Sequence, residues 1–488
     1  MKDWTLSRLA EALPACELLG EAKLRRLQID SRLVEPGDLF AALPGLRNHG
    51  LEFLPQALAA GAVAVLAPAG SELAADLPAI FCEDATLAAG RAAHLLAGNP
   101  TKDWPLLAVT GTNGKSTSAA LLAYLMSSDK APWGLLGTLD YRVGGRVLPS
   151  SHTTPDAARL AGYLAEMRAA GLGGAAMEAS SHALDQQRLA GCRLAGALFT
   201  NISRDHLDYH GDMENYVRAK ARLFDHLEPG APVVVNADDE RLLRLADELA
   251  DRPRTFGTAA KSDARILEAI CTVSGSDFQL EWAGNRWSFR TSLPGFFNVM
   301  NTAGALALAL ALGESPDRLR ERLASFSGVP GRMQRLDTES GPAVLLDFAH
   351  TPDAILNVSR AARPMCEGKL RLLFGAGGDR DRGKRPLMAK AAQECADIIY
   401  LTSDNPRGED PEKILDEVES GFDAGAASWK RIADRREAIF AAIDEAAEGD
   451  LILLLGKGHE TTQEIAGLKH PFSDGEVARE ALRARGWR

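Results

Sequence analysis

Leu106-Leu107-Ala108-Val109-Thr110-Gly111-Thr112-Asn113-Gly114-Lys115-Ser116-Thr117 decides the fold of this chain. Four apolar residues run into a Gly-rich turn, and the turn opens onto Ser116 to Met126, a stretch without glycine or proline. Strand, tight loop and helix in that order cradle phosphate. The glycines let backbone N–H groups come close, and the helix start adds partial positive charge. Lys115 is placed to reach the outer phosphates of a nucleotide, and Ser116 or Thr117 to offer a hydroxyl to Mg²⁺. The regular P-loop has glycine where this chain has Val109, so the loop is a variant.

The same grammar extends in both directions. Gly174 to Met177 runs into Glu178, Ala197 to Phe199 into Thr200-Asn201, and Val233 to Val235 into Asn236. Helical stretches such as Ala157 to Ala170 lie between them. Toward the C-terminus, Ala343 to Leu346 precedes Asp347, Leu370 to Phe374 precedes Gly375, Ile398 to Leu401 precedes Ser403, and Leu451 to Leu455 precedes Gly456. Alternation of this kind predicts parallel strands joined by crossover helices. Ligands of such sheets bind outside the carboxyl ends of the strands, and here those ends carry Gly, Asp, Arg, Lys and His. Residues 1–98 read as a smaller α/β segment closed by the turn chemistry of Asn99-Pro100. The expected fold is α/β in three domains: 1–98, a P-loop parallel-sheet domain over 99–331, and a Rossmann-like domain over 332–488. Hinges are expected near 99–103 and 328–333. No internal repeat is apparent.

Composition narrows the function. The chain has 488 residues, a formal charge of −11, 46% hydrophobic and 25% charged residues. That balance suits a soluble globular protein and disfavours a nucleic-acid binder. The longest apolar run, Ala305 to Leu312, falls short of the roughly 18 residues of a membrane helix. No signal sequence is apparent, and the six cysteines form no CxxC pair. This suits a reducing, cytoplasmic setting and gives no thiolate metal site.

Two carboxyl-end groups suggest a hard cation. Glu178 stands in Met177-Glu178-Ala179-Ser180-Ser181-His182, and His206 in Asn201 to Gly211. Thr117, Glu178 and His206 make a mixed set that Mg²⁺ accepts beside phosphate oxygens. Asp205, Asp208 and His210 read equally as a helix cap and a solvated turn. Lys220, in Tyr216-Val217-Arg218-Ala219-Lys220, reads by itself as a solvated helix lysine.

Thr110–Thr117, Met177–His182, Asp205–Gly211 and Tyr216–Lys220 together resemble the Mur ligases of peptidoglycan synthesis, most of all those that add meso-diaminopimelate. The resemblance implies an ATP-dependent amide ligase acting on UDP-N-acetylmuramoyl-L-alanyl-D-glutamate, with ATP as co-substrate and Mg²⁺ as cofactor, working as a monomer. It implies that residues 1–98 bind the UDP-sugar, 99–331 bind ATP and 332–488 take the amino acid. It makes Lys220 an N6-carboxylysine that supports a second Mg²⁺ beside Thr117, Glu178 and His206, with Lys115, Lys220 and His206 as the catalytic set. ATP contacts extend from Gly111, Thr112, Asn113, Gly114, Lys115, Ser116 and Thr117 to Asn298, Asn301, Arg332, Asp347 and His350. The family often has Glu after Gly-Arg-Met, where this chain has Gln334.

The resemblance gives the nucleotide dipeptide Ile29, Ser31, Leu46, Arg47, Asn48, His152, Thr153, Thr154, Ser180, Gln186 and Arg188. Read alone, Asp30-Ser31 and Thr153-Thr154-Pro155 are equally turns or caps. It gives meso-diaminopimelate Arg380, Asp404, Asn405, Pro406, Arg407, Gly456 and Glu460. Diaminopimelate carries a distal amino-carboxylate that lysine lacks. A guanidinium such as that of Arg407 pairs with that carboxylate in two-pronged fashion. Rival readings are a lysine-adding relative and a P-loop NTPase without ligase activity.

Overall fold

The computed structural model describes residues 4–45, 48–247, 252–423, 425 and 428–487. They form two compact units. The first takes the chain up to Arg265 together with Ala303–Leu319, and the second takes Ile266–Thr302 and Arg320 onward.

In the first unit, Leu106–Thr110 lies between two parallel neighbours, Gly174–Glu178 and Gly196–Phe199. All three strands are buried along their whole length, which explains their unbroken apolar runs: a strand covered on both faces has no polar side to alternate with. Val233–Asn236 and Arg254–Gly257 extend the sheet in parallel on one side and Trp133–Leu136 on the other. An antiparallel pair, Asp140–Val143 and Arg146–Pro149, finishes that edge. The register pairs Glu178 with Val109 and Phe199 with Thr110. Glu178, the phosphate loop and Thr200 therefore emerge together at the carboxyl ends of these central strands. The apolar run from Ala305 lies in the helix Phe296–Ala311, with Ala305 to Ala309 fully buried. It is a core helix.

The N-terminal sheet of the first unit has the order Cys16–Leu19, Ala79–Cys82, Ala64–Pro68, Leu39–Ala41, Leu27–Gln28, parallel except for the first strand. Its core of Leu6, Leu9, Leu39, Leu66 and Ile80 packs beneath Ala88, Ala89 and Ala92 of the helix Ala85–Leu96. Asp84 caps that helix, accepting from the N–H of Leu87 at 2.9 Å. The cysteine expectation needs a correction here. Cys16 and Cys82 face each other across the antiparallel pair and are joined in a disulfide, 66 residues apart in sequence. Separation of that size hides a pair that the sheet register makes adjacent.

The second unit is built on a six-stranded sheet in the order Gln334–Leu336, Ala343–Asp347, Leu451–Leu455, Leu370–Phe374, Ile398–Leu401, Ser428–Arg431. Only the first pair is antiparallel. The insertion of Leu451–Leu455 between earlier strands is the doubly wound pattern expected of a Rossmann-like sheet. Two hairpins accompany it, Gly275–Trp282 with Asn285–Thr291 and Thr462–Ile465 with Leu468–Pro471.

Candidate active site

The phosphate loop is held open by its neighbours. Gly111 (φ +150°) and Gly114 (φ +84°) take conformations that disfavour other residues. A Cβ on Gly111 would stand 1.9 Å from the hydroxyl of Thr200. Thr200 donates to the Asn113 carbonyl at 2.6 Å, Asn201 accepts from the Asn113 N–H at 2.9 Å, and Thr112 N–H donates to the Asn201 carbonyl at 2.8 Å. The Thr112 hydroxyl meets the Tyr216 hydroxyl at 3.0 Å and accepts from the Ser203 N–H at 2.9 Å. The helix Lys115–Met126 starts directly from Gly114, with Ser116 and Thr117 buried in its first turn. Lys115 Nζ donates to the carbonyls of Gly111 and Thr112 at 2.9 and 2.8 Å.

Lys220 corrects the reading of it as a surface lysine. It is 1% exposed. Its Nζ donates to the Gly111 carbonyl at 2.9 Å and lies 4.6 Å from the centre of the Tyr216 ring. Burial pushes its pKa well below that of an ordinary lysine, and the nearby charge of Lys115 adds to the effect against the opposing pull of Asp205. An uncharged amine is the nucleophilic form of lysine.

Glu178 is 2% exposed. Its Oε1 accepts from the Thr138 N–H at 2.7 Å and its Oε2 from the Thr138 hydroxyl at 3.0 Å. Both donors are neutral, so they orient the carboxylate and leave its charge in place for a cation. A Cβ on Gly137 would meet Glu178 Oε1 at 2.4 Å. His206 sits in the left-handed region (φ +51°) before the short helix Leu207–His210, half exposed, its Nε2 3.4 Å from Asp205 Oδ2. His182 stacks edge-on to His206 with ring centres 4.8 Å apart, and burial lowers the His182 pKa to about 4. Among the described residues no group of three or more His, Cys, Asp and Glu is arranged to chelate a metal. The donor set fits Mg²⁺ all the same, because that ion keeps several waters and phosphate oxygens and needs few protein oxygens.

The structure gathers Thr153, Thr154, Ser180, Gln186 and Arg188. Thr153 accepts from the Thr138 hydroxyl at 3.1 Å. Thr154, wholly buried, donates to the Glu178 carbonyl at 2.8 Å and accepts from the Ser180 N–H at 3.1 Å. Arg188 donates to the Thr154 carbonyl at 2.8 Å and to Gln186 Oε1 at 2.7 Å. His152 beside them contacts Ser151 Oγ at 3.3 Å, and partial burial, with the Arg188 charge nearby, lowers its pKa below the ordinary value. In the N-terminal sheet, Ser31 gives its hydroxyl to Gln56 Oε1 at 2.8 Å, Ile29 packs on the core, and Asp30 pairs with Arg32 at 2.8 Å. The Asn48 carbonyl accepts from the Gly45 N–H at 3.1 Å, while Leu46 and Arg47 lie outside the described residues.

In the second unit, Asp347 accepts from the N–H groups of Met333 and Ala349, both at 2.8 Å, and burial raises its pKa. The Arg332 guanidinium lies 5.2 Å from the centre of the Phe348 ring, His350 Nδ1 meets the Phe348 carbonyl at 2.7 Å, and Gln334 accepts from the Gly331 N–H at 2.9 Å. Asn298 and Asn301 stand one turn apart in the helix Phe296–Ala311 and bond each other at 3.2 Å.

The loop Asp404–Arg407 and the loop Gly456–Glu460 meet. Asn405 Nδ2 donates to Glu460 Oε2 at 2.8 Å. Lys457, fully buried, donates to the same Glu460 oxygen at 2.9 Å and to Asn405 Oδ1 at 3.2 Å. Gly456 (φ +106°) allows the approach, since a Cβ there would stand 2.4 Å from Asp404 Oδ2. Arg407, a quarter exposed and in the left-handed region (φ +52°), donates to the Gly378 carbonyl at 2.6 Å. The Pro406 carbonyl crowds Gly378 so closely that a Cβ there would lie 1.9 Å away. Arg380 is exposed and donates to the Asp379 carbonyl at 3.4 Å.

Sequence reading missed the braces behind these groups: Thr138, Thr200, Tyr216, Lys457, Arg385 and Arg435. Arg385, fully buried, bonds Glu409 at 2.8 Å and Glu417 at 2.6 Å, and holds the Glu409 carboxyl far below the usual carboxylate range. Arg435 and Asp474 form a fully buried pair, and Arg435 also donates to the Leu455 carbonyl at 2.9 Å. Thr138, Thr200, Arg385 and Arg435 carry no local signal, because each acts through a contact distant in sequence.

Known proteins resemble this chain over most of its length. Residues 109–309 match the Mur ligase middle domain, 331–458 the Mur ligase glutamate ligase domain, and 23–95 the Mur ligase family catalytic domain. A UDP-N-acetylmuramoyl-L-alanyl-D-glutamate–2,6-diaminopimelate ligase from Synechococcus sp. (strain WH7803) is 44% identical, covering 99% of each chain. The ligase of the same name from Aquifex aeolicus (strain VF5) is 41% identical, covering 95% of each. A solved structure of a ligase of that name aligns with a TM-score of 0.70 and 36% identity over 95% of this chain and 96% of its own. A MurF ligase from Thermotoga maritima, solved in complex with ADP, shares the fold at 19% identity, with a TM-score of 0.62 over 94% of this chain and 97% of its own. The chain belongs to the Mur ligase family.

Proposed function

We propose that the chain is the ATP-dependent ligase that joins meso-diaminopimelate to UDP-N-acetylmuramoyl-L-alanyl-D-glutamate in peptidoglycan synthesis. The observation that carries the reading is the meeting of Asp404–Arg407 with Glu460 through Lys457. Asp404, Arg407 and Glu460 stand on these two loops, and their charges are the complement of an amino-carboxylate. The full-length relatives named for 2,6-diaminopimelate support it.

In this reading the γ-carboxylate of D-glutamate attacks the γ-phosphate of ATP, giving an acyl phosphate and ADP. The amine of meso-diaminopimelate then attacks the acyl carbon, loses a proton, and phosphate departs. The loop Gly111–Gly114 and the start of the helix Lys115–Met126 receive the nucleotide phosphates, and Lys115 neutralises charge as the phosphoryl group transfers. Asn298, Asn301, Arg332, Asp347 and His350 are the further ATP contacts. Thr117, Glu178, His206 and a carbamylated Lys220 would hold Mg²⁺, which supplies charge neutralisation between phosphates. His152, Thr153, Thr154, Ser180, Gln186 and Arg188 bind the dipeptide, and Ile29, Ser31, Leu46, Arg47 and Asn48 are the contacts to the nucleotide. Asp404 takes the distal ammonium of diaminopimelate and Arg407 its carboxylate, with Arg380, Asn405, Pro406, Gly456 and Glu460 completing the pocket. Three functional segments follow, 1–98, 99–331 and 332–488, in a monomer of the cytoplasm. Among the described residues no helix is long and apolar enough to cross a membrane.

Phosphate release from ATP, measured with the nucleotide dipeptide and either meso-diaminopimelate, L-lysine or no amino acid, tests the reading. Release that needs meso-diaminopimelate supports it. Equal release with L-lysine leaves a ligase without the Arg407 discrimination, and release without any amino acid points to an NTPase.

A further inference from the structure

The first unit has a cleft of about 690 Å³ that none of these roles uses. It opens where the helix Ala85–Leu96 meets the loop 187–193 and the turn Arg222–His226. Leu87, Leu95, Leu184 and Ala190 give it an apolar lining, and Arg91, Arg193 and Arg222 stand around it against one carboxylate, Asp225. Arg222 is engaged, donating to the Asp185 carbonyl at 3.1 Å with its carboxylate 3.7 Å away. The guanidinium groups of Arg91 and Arg193 form no hydrogen bond or ion pair among the described residues. Arg193 uses its backbone N–H, on Thr101 Oγ1 at 3.0 Å.

The cleft is shaped by close packing. A Cβ on Gly90 would stand 2.5 Å from the Ala190 Cβ, and one on Gly191 (φ +91°) would meet His94 at 2.8 Å. Cys192, which lines the cleft, lies 3.4 Å from the buried His94 Nε2, while His94 Nδ1 has no hydrogen-bond partner among the described residues. Two exposed, uncompensated guanidinium groups over an apolar lining call for a ligand with an anionic head and an apolar body.

We propose that this cleft binds a small organic anion, an apolar group carrying a phosphate monoester or a carboxylate, at a site separate from those assigned to ATP and to the nucleotide dipeptide. The loop that borders it faces two ways. Gln187 (φ +53°) donates to Asp84 Oδ2 at 2.9 Å, while its neighbours Gln186 and Arg188 bond each other at 2.7 Å in the dipeptide cluster. The turn Arg222–His226 directly follows the helix that carries Lys220. An anion bridging Arg91 and Arg193 braces the loop 187–193 against the helix Ala85–Leu96, and its occupancy lowers KM for the nucleotide dipeptide.

Calorimetric titration of the full chain at fixed ionic strength tests this, with phenyl phosphate in one arm and phenylacetate in the other. The expected result is one binding event per chain that persists with saturating ADP and nucleotide dipeptide. It weakens about tenfold or more in the double variant Arg91→Gln/Arg193→Gln, as loss of charge-assisted hydrogen bonds implies. Both side chains are exposed, so the variant keeps its fold, which an unchanged Tm confirms. The arm that binds more tightly identifies the head group. Displacement by ADP or by the dipeptide, undiminished binding to the variant, or no binding of either compound overturns the proposal.

Discussion

Lys115 and Lys220 donate to the same acceptor, the carbonyl oxygen of Gly111, each at 2.9 Å. Two lysines on one buried oxygen cannot both carry full charge cheaply, and the more buried one yields. Burial first and Lys115 second push the pKa of Lys220 well below the ordinary value. The charge of Lys115 thus favours the uncharged Lys220 amine, the form of lysine that reacts with CO₂. We expect Lys115→Met to raise the Lys220 pKa and to reduce its carbamate. A ¹³C-carbonate NMR signal recorded without ATP reads this directly; an unchanged carbamate signal in Lys115→Met would show that burial alone is sufficient.

Lys220→Ala is expected to lower kcat by about 100-fold or more, the scale for losing one preorganised charge-stabilising group. If the working group is a carbamate, added acetate or formate restores part of the rate, and added amines do not. Rescue by amines instead would point to a cationic role for Lys220.

Thr138 donates two hydrogen bonds to the Glu178 side chain, one from its N–H and one from its hydroxyl. Thr138→Val removes the hydroxyl contact and keeps the backbone one. The Mg²⁺ concentration for half-maximal activity should rise about 10- to 100-fold, the usual effect of losing a group that orients a metal ligand. An unchanged Mg²⁺ dependence would separate Glu178 from the metal.

Arg407→Ala should raise KM for meso-diaminopimelate by about 10- to 100-fold, since hydrogen bonds to charged groups are worth roughly 1.5–3 kcal/mol. KM for ATP should stay the same. Discrimination against L-lysine should shrink with it, measured as the ratio of kcat/KM values.

The buried His94 makes stability depend on pH. Burial first, with His226 nearby, lowers its pKa from 6.5 to about 4. Between those values the unfolded chain binds the proton and the folded chain does not, so stability falls as pH drops from 6.5 toward 4. The full effect is about 3 kcal/mol. His94→Phe should flatten that part of the Tm–pH curve, and an equally steep curve in the variant would assign the dependence to other groups.

Periodicity and turn chemistry determine much of this protein locally. Leu106–Thr110, Gly174–Glu178 and Leu451–Leu455 are wholly buried strands, and short apolar runs ending in Gly or a polar residue announce such strands locally. The phosphate loop was legible for the same reason: glycine, lysine and hydroxyl residues act there through adjacent backbone. Tertiary structure decided the rest. Lys220 is separated from Gly111 by more than a hundred positions yet shares its carbonyl with Lys115. Cys16 meets Cys82 only through strand pairing, and Arg435 finds Asp474 only because the second unit closes around them. Burial and charge coupling are properties of neighbours in space, and a sequence orders neighbours only along the chain.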